Sequence, residues 1–184
     1  ANDARTISFW WRASASNVNT VDGTFVSFGS EAGGSGARFD IKEQHNGAIQ
    51  TPLRVEVQDT GLGTSPTNFD DGNWHFVAVT VPNNATFADI AWYVDGSSTD
   101  LNTSTSTLDI VTGLGPIAFG DSILTSGTDD RVPNGYLDDF QLYNEVLSQS
   151  QIQSLFNNPG SVIPEPSAAL LGGLGALLFL RRRR

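Results

Sequence analysis

The sequence of 184 residues contains no cysteine, and Lys42 is its only lysine. The absence of cysteine excludes disulfide bonds and cysteine-ligated metal sites as sources of stability. A chain of this length still buries enough apolar surface for a two-sheet core without such cross-links. The missing disulfides therefore say little about the compartment in which the protein works.

Charged residues are also scarce, at 16% of the chain, and acids outnumber bases. Residues 1–160 hold 19 acids and 6 bases, a net charge of −13, whereas residues 161–184 carry a net charge of +3. Nucleic acid is an unexpected partner for the acidic part, because neutralising phosphates needs positive charge. Divalent cations and neutral polymers remain compatible partners. A polar surface built from Ser, Thr, Asn, Gly and Asp is more typical of an extracellular bacterial β-protein than of a cytosolic enzyme.

Two neighbouring stretches, 74–81 and 88–96, predict the centre of a β-sheet. Each is rich in β-branched and aromatic residues and is bounded by Asp-Gly or Pro-Asn-Asn turn signals, which is typical of an antiparallel strand pair. Both faces of the first stretch are largely apolar. We therefore expect it to lie centrally in a sandwich, at least partly covered on both faces, with Trp74 buried.

Other short stretches predict the remaining strands and one helix. The strands are expected at 6–12, 25–29, 37–42, 53–57 and 136–143, with a weak one at 108–111. Residues 53–57 alternate cleanly, which predicts one solvent-facing side. The glycine-rich stretch 33–36 lacks the helix pattern and Lys-Ser/Thr pair of a phosphate loop, so it predicts a hairpin turn. Ser148 precedes a stretch whose apolar residues share one helical face, which predicts a short, N-capped helix that closes the sandwich.

Trp10 is a candidate ligand-binding residue. Because side chains alternate along a strand, Phe9 and Trp11 face the core and Trp10 faces outward. An outward tryptophan is either a stacking platform for a sugar or a residue covered by another segment of the chain. We favour the covered arrangement by roughly two to one, since large aromatic side chains are seldom left bare without a function.

Three segments in order carry a family resemblance: 74–79, 93–96, and 135–144 with Val-Leu-Ser at 146–148. They resemble the laminin-G-like domains of the concanavalin A-like lectin/glucanase superfamily, over roughly residues 5–157. The resemblance implies an all-β domain at 1–160, a jelly-roll sandwich of two antiparallel sheets. Family members usually carry a strand before the one at Arg5, so we expect a fragment of a longer secreted protein. The fold hosts lectins, adhesins, enzymes and scaffolds, and so does not settle function.

The resemblance to glucanases prompts a search for catalytic residues. Retaining glucanases of this superfamily place two glutamates on one strand, in the pattern Glu-x-Asp-x-x-Glu. The nearest match is 38–43, where Arg38 stands at the nucleophile position, so this segment is not such an active site. His45 and His75 lie outside any Ser or Cys nucleophile pattern. We therefore predict no catalytic residues.

A calcium site is a further expectation from the resemblance. Laminin-G-like domains often hold one Ca²⁺ at the rim of the sandwich through aspartates and backbone carbonyls, the oxygen ligands that calcium prefers. The candidate ligands by this analogy are Asp121, Asp129, Asp130 and Asp138. The competing interpretation is that they are ordinary turn residues, as we expect for the aspartates of the two Asp-Gly turns at 71–72 and 95–96.

Residues 161–184 differ in kind from the rest and form a second predicted unit. An apolar run at 168–180 lies between two polar motifs, Pro164, Glu165 and Pro166 before it and Arg181, Arg182, Arg183 and Arg184 after it. This order resembles the PEP-CTERM sorting signal of Gram-negative bacteria, which implies cleavage by an exosortase. Counted with Ser167, the run of 14 residues spans about 21 Å as a helix, short of a hydrocarbon core of ~30 Å. We expect a transient inner-membrane anchor with the arginines in the cytoplasm.

The sequence as a whole favours a non-catalytic binding or adhesion module at the cell surface, with a polysaccharide or another matrix component as its partner. A purely structural matrix protein without a specific ligand is the next interpretation. An unusual glycan-active enzyme is the third.

Overall fold

The computed structural model describes residues 3–14, 23–29, 38–43, 53–57, 60–62, 71–99, 115–121, 123 and 133–164. These residues form ten strands, a 3-10 turn at Phe87–Asp89 and one α-helix. The strands are β1 (Arg5–Ala13), β2 (Gly23–Gly29), β3 (Arg38–Glu43), β4 (Leu53–Val57), β5 (Thr60–Leu62), β6 (His75–Val81), β7 (Ala91–Val94), β8 (Ser97–Thr99), β9 (Ile117–Phe119) and β10 (Gly135–Tyr143), and the helix is α1 (Gln149–Asn157).

The strands form two five-stranded sheets. Sheet A has the order β10-β1-β6-β7-β8, and sheet B has the order β5-β4-β3-β2-β9. All the pairs are antiparallel. The predicted all-β sandwich of two antiparallel sheets is therefore confirmed, as is the pairing of the two central stretches as β6 and β7.

The core lies between the inner faces of the two sheets, where alternate residues of each strand meet. Ile7, Phe9 and Trp11 of β1 are buried there with Phe39 and Ile41 of β3. Strand β6 is covered on both faces, as expected for a central strand. Its Val77 and Val79 join the core, and its Phe76 and Ala78 join a second buried cluster on the outer face of sheet A.

Helix α1 covers part of that outer face. Ser148 is its N-cap: the Ser148 side chain accepts from the Gln151 N–H, and the Gln151 side chain accepts from the Ser148 N–H. These two bonds satisfy donors that the first helical turn leaves free. Ile152 and Leu155 are buried against Phe76 and Ala78, so the predicted closing helix is confirmed.

Two predictions about exposure are wrong. Trp74 is 40% exposed rather than buried, because β6 begins one residue later and Trp74 lies at its open end. Strand β4 was expected to have one solvent-facing side, yet its Glu56 is only 4% exposed. Burial of this carboxylate is tolerated because cations surround it, as described below.

Several predicted features lie outside the described residues. They are the weak strand at 108–111, the glycine-rich stretch 33–36, the aspartates at 129 and 130, and the tail from residue 165 onward. Within the described part of the chain, no helix is both long enough and apolar enough to cross a membrane.

Candidate binding site

A pocket of about 510 Å³ lies on the outer face of sheet A, beside the end of α1. We call it the aromatic pocket, and its lining residues are Trp10, Trp74, Asp138, Asp139, Pro159 and Gly160. Binding sites for small ligands usually have volumes of roughly 300 to 1,000 Å³. The pocket thus combines two indoles, two carboxylates and a volume in the range of a ligand site.

The register of three strands brings these side chains together. Trp10 of β1 pairs with Phe76 of β6 on one side and with Asp138 of β10 on the other. Cross-strand partners point to the same face of a sheet, so Asp138 lies beside the outward Trp10. Trp74 is two residues before Phe76, and the alternation of β6 places it on this face too.

A β-bulge in β10 shapes the carboxylate side of the pocket. The register shifts where Phe9 would pair, between Ser8 and Trp10, and Asp139 takes a positive φ of 47°. The Asp139 carboxylate accepts from Gln141 Nε2 and from the Gly160 N–H, each at 2.8 Å. The second bond ties the chain after α1 to the bulge. Bulges often re-aim side chains beside functional sites, and here the bulge places two adjacent carboxylates on one pocket wall.

Trp10 is partly covered, in agreement with the favoured interpretation. Its ring stacks on Phe156 of α1 with centroids 5.8 Å apart, and lies 5.5 Å from the ring of Phe76. The remaining exposed part of Trp10 lines the pocket. Trp10 is therefore covered in part by α1 and also faces the pocket, while a role in sugar stacking stays a prediction.

Next to the pocket, Arg12 lies between two exposed aromatic rings. Its guanidinium is 5.2 Å from the centroid of Trp74 and 4.7 Å from that of Tyr136. Such cation–π contacts are worth about 0.5 to 1 kcal/mol at exposed sites. They hold Trp74 at the rim, although Trp74 is 40% exposed and Tyr136 is 55% exposed.

The segment that carries Trp74 is fixed by His75. His75 Nδ1 lies 3.0 Å from Asp95 of the β7–β8 turn, and Nε2 lies 3.1 Å from Asp71. Burial by itself lowers the pKa of His75, but the hydrogen bonds and charges of Asp95 and Asp71 outweigh it and raise the pKa above its ordinary value of 6.5. The aspartates of the two Asp-Gly turns thus also fix His75 next to Trp74. Turn propensity in the sequence does not predict this role.

A second polar group lies on the outer face of sheet B, where three cations pair with two carboxylates. Glu56 is 2.9 Å from Arg38, 3.2 Å from Lys42 and 2.9 Å from Arg54. Arg38 also pairs with Asp40 at 3.1 Å. Burial raises the pKa of Asp40, even though a hydrogen bond from Ser27 and the charges of Arg38 and Lys42 oppose the rise. We call these five charged residues the buried ion cluster.

The buried ion cluster occupies the segment that most nearly matched the glucanase pattern. Arg38 stands at the position of the nucleophile and is only 2% exposed. A cationic, buried side chain there offers no nucleophile for glycoside cleavage. The cluster is thus explained as a buried set of ion pairs on the outer face of sheet B.

The candidate calcium ligands fall in different places. Asp121 is exposed at the end of β9 in sheet B, whereas Asp138 lies on the outer face of sheet A. Among the described residues, no group of three acidic, histidine or cysteine side chains is arranged to hold a metal ion. Asp129 and Asp130 are outside the described residues, so calcium binding stays a prediction.

Two pocket residues were predicted for separate roles, Trp10 for ligand binding and Asp138 for calcium. Trp74, Arg12 and Asp139 were not predicted as site residues. A signal for two of them was available. Even-numbered residues of β1 face outward, and Arg12 shares that parity with Trp10. Trp74 likewise shares the parity of Phe76. The contribution of Asp139 depends on the β-bulge in β10, which the alternation of side chains along the strand does not predict.

Comparison with known families agrees with this architecture. The sequence profile of Laminin_G_3, a family of the concanavalin A-like lectin/glucanases superfamily, matches residues 1–153. The chain belongs to this family. No curated protein sequence matches it significantly.

Solved structures of the same fold come from proteins of different kinds. Domain 4 of AbnA, an extracellular GH43 arabinanase from Geobacillus stearothermophilus solved with arabinotriose, superposes with a TM-score of 0.60 at 20% identity. The match covers 84% of this chain and 66% of that one. The heptameric SAP-like pentraxin of Limulus polyphemus superposes with a TM-score of 0.59 at 17% sequence identity. That match covers 84% of this chain and 71% of the pentraxin chain. The CBM40 of the Ruminococcus gnavus IT-sialidase superposes with a TM-score of 0.59 at 14% sequence identity. That match covers 85% of this chain and 84% of the CBM40 chain. At these identities the likeness establishes the shared fold.

Proposed function

We propose that this laminin-G-like chain is a non-catalytic extracellular binding or adhesion module, and that it binds carbohydrate in the aromatic pocket. The observation that carries the proposal is the 40% exposed Trp74 in a pocket that also contains Trp10 and two carboxylates. Large exposed aromatic side chains next to polar groups are a common mark of binding sites. The solved structures with bound arabinotriose and α2,3-sialyllactose support a carbohydrate over other ligand classes.

The chemistry of a sugar ring suits this pocket. One face of a pyranose carries mostly C–H groups, and packing that face on an indole removes apolar surface from water. The ring hydroxyls point outward from its edge, where carboxylates accept strong hydrogen bonds. Trp74 and Trp10 would supply the apolar contact. Asp138 would accept hydrogen bonds from sugar hydroxyls through Oδ2, since its one described hydrogen bond, from the Asp139 N–H, is to Oδ1.

A glycan array with three forms of the chain tests this proposal. Wild type is expected to bind a subset of glycans, and Trp74→Ala should reduce that binding at least about tenfold by removing the stacking surface. The matched control is Phe119→Ala, which removes a 52% exposed aromatic side chain from sheet B and should leave binding unchanged. Equal binding by wild type and Trp74→Ala would place the site elsewhere.

Two other outcomes, one on that array and one in a separate hydrolysis assay, would favour the alternative functions. A flat response of wild type to all glycans and matrix proteins would favour a structural matrix protein without a specific ligand. Release of reducing ends from β-glucans would favour a glycan-active enzyme, and it would contradict the non-catalytic part of the proposal.

We also propose that this protein reaches the cell surface of a Gram-negative bacterium through its C-terminal tail. The support is the order of the proline-framed Glu165, the short apolar run and the four terminal arginines. The apolar run is shorter than the hydrocarbon core of a membrane. It therefore suits a temporary anchor that an exosortase removes. Mass spectrometry of protein shed into the medium should find a C-terminus near 164–166. Shed protein that still contains Leu178, Phe179 and Leu180 would contradict cleavage.

A further inference from the structure

The described part of the aromatic pocket carries negative charge. Among the residues that the structure describes, its lining includes Asp138 and Asp139 and no cationic side chain. Two adjacent carboxylates beside two indoles form a site that attracts a positive group, because both the charges and the aromatic faces favour a cation.

The hydrogen bonds of the two carboxylates leave this charge in place. Asp139 accepts from the neutral amide of Gln141 and from the N–H of Gly160. Asp138 Oδ1 accepts from the N–H of Asp139 at 2.8 Å. All three donors are uncharged. They hold the carboxylates in place in the pocket wall. They form no ion pair, so they do not neutralise the negative charge as an arginine or lysine would.

Arg12, a described cation beside the pocket, contacts aromatic rings and not the pocket aspartates. Its guanidinium lies against the rings of Trp74 and Tyr136, at 5.2 and 4.7 Å from their centroids. Among the described residues, no ion pair joins Arg12 to either pocket aspartate. The contact with Arg12 also shows that Trp74 accepts a cation over its ring in this protein.

We propose that the aromatic pocket selects glycans that carry protonated amines, that is amino sugars with free amino groups, over neutral and acidic glycans. The inference rests on the proposed function, because it names the ligand class of the same pocket. An ammonium group on the sugar would lie against Asp138 while the C–H face of the ring packs on the indole. The net charge of −13 over residues 1–160 adds long-range attraction for a cationic glycan and repels uronic acids.

Isothermal titration calorimetry with three tetrasaccharides tests this selection. The probes are β1,4-linked glucosamine, β1,4-linked N-acetylglucosamine and galacturonic acid, at a pH of about 5.5, where free sugar amines are protonated. The glucosamine tetramer should bind at least about tenfold more tightly than its N-acetylated counterpart, and the galacturonic acid tetramer should bind most weakly. The preference should shrink as salt is raised, since exposed charges are screened.

Two variants separate the pocket from the acidic surface in general. Asp138→Asn keeps the oxygen that accepts from the Asp139 N–H but removes the charge, and should cut the preference to about threefold or less. Asp3→Asn removes an exposed carboxylate seven residues before Trp10 and should leave the preference unchanged. An equal loss in both variants would mean attraction to the whole acidic surface, and would overturn the inference.

The remaining outcomes distinguish this inference from the proposed function. Equal binding of the glucosamine and N-acetylglucosamine tetramers, with both lost in Trp74→Ala, would overturn the amine selection while keeping a carbohydrate site. Tetralysine that competes as well as the glucosamine tetramer would also overturn it, because the sugar ring would then contribute nothing. Binding of none of the three tetrasaccharides, with binding of another glycan on the array, would again overturn the amine selection alone.

Discussion

Replacing Glu56 with glutamine is expected to destabilise the sandwich strongly, because this one carboxylate faces three cations. Its Oε1 lies 2.9 Å from Arg38, and its Oε2 lies 3.2 Å from Lys42 and 2.9 Å from Arg54. Glutamine has nearly the same volume, so the change leaves no cavity. It does remove the negative charge and turn one acceptor oxygen into an N–H₂ donor that faces cationic donors.

The size of the effect follows from burial. Glu56 is 4% exposed, Arg38 2% and Lys42 0%, so water cannot replace the lost carboxylate. Removing one partner of a buried ion pair usually costs about 3 to 5 kcal/mol, since a charge is left without compensation. A domain of this kind has a total stability of roughly 5 to 15 kcal/mol. Glu56→Gln should therefore remove a large fraction of the free energy of unfolding.

Urea denaturation followed by tryptophan fluorescence measures this loss as a lower midpoint with an unchanged slope. Asp3→Asn is the control: it removes an exposed carboxylate and should change the free energy of unfolding by about 0.5 kcal/mol or less. A loss below about 1 kcal/mol for Glu56→Gln would refute the reasoning. It would mean that the outer face of sheet B is open to water, where ion pairs contribute little.

Three further predictions concern the tryptophans, His75 and calcium. Trp92→Ala should cost about 3 to 5 kcal/mol, because Trp92 is 1% exposed, whereas Trp74→Ala should cost about 1 kcal/mol or less; similar losses in urea would contradict the assigned exposures. Because the pKa of His75 is raised in the folded state, protonated His75 stabilises the fold. This stabilisation is complete when the pH is below the unfolded pKa of 6.5, and it is lost as pH rises through the folded pKa. His75→Gln should therefore flatten the fall in melting temperature between roughly pH 6 and 8, and an unchanged pH profile would exclude His75 as its source. If calcium binds, EDTA should lower the melting temperature, and Asp129→Asn with Asp130→Asn should remove that response; a melt insensitive to EDTA would leave these aspartates as ordinary loop residues.

Local signals in the sequence were sufficient for most elements of the fold, but not for the short strands β5 and β8. Alternation and β-branched composition predicted β1, β2, β3, β4, β6 and β10 close to their observed bounds. The helix was predictable from its N-cap at Ser148 and from the shared face of Ile152 and Leu155. Each of these signals acts over a few residues, where side-chain direction and backbone hydrogen bonding are determined by the neighbours in the chain.

The candidate site was predictable only in part. The outward direction of Trp10 followed from its parity in β1. Its neighbours did not, because they come from strands that are distant in sequence. Asp138 reaches Trp10 through the β1–β10 register, and Pro159 and Gly160 reach it because α1 packs on sheet A. Such contacts depend on long-range pairing, on which local periodicity carries no information.

The sequence by itself determined the longer strands, the apolar face of each of them, and where the closing helix begins. It did not predict the three-residue strands β5 and β8. Only the tertiary structure decided which polar faces are covered. Alternation predicts two faces for a strand but does not say what packs on either of them. The polar face of β4 is therefore buried in an ion cluster, while Trp74, in the most apolar stretch of the domain, is exposed at the open end of its strand. Burial is set by neighbouring strands and helices, and those neighbours come from distant parts of the chain.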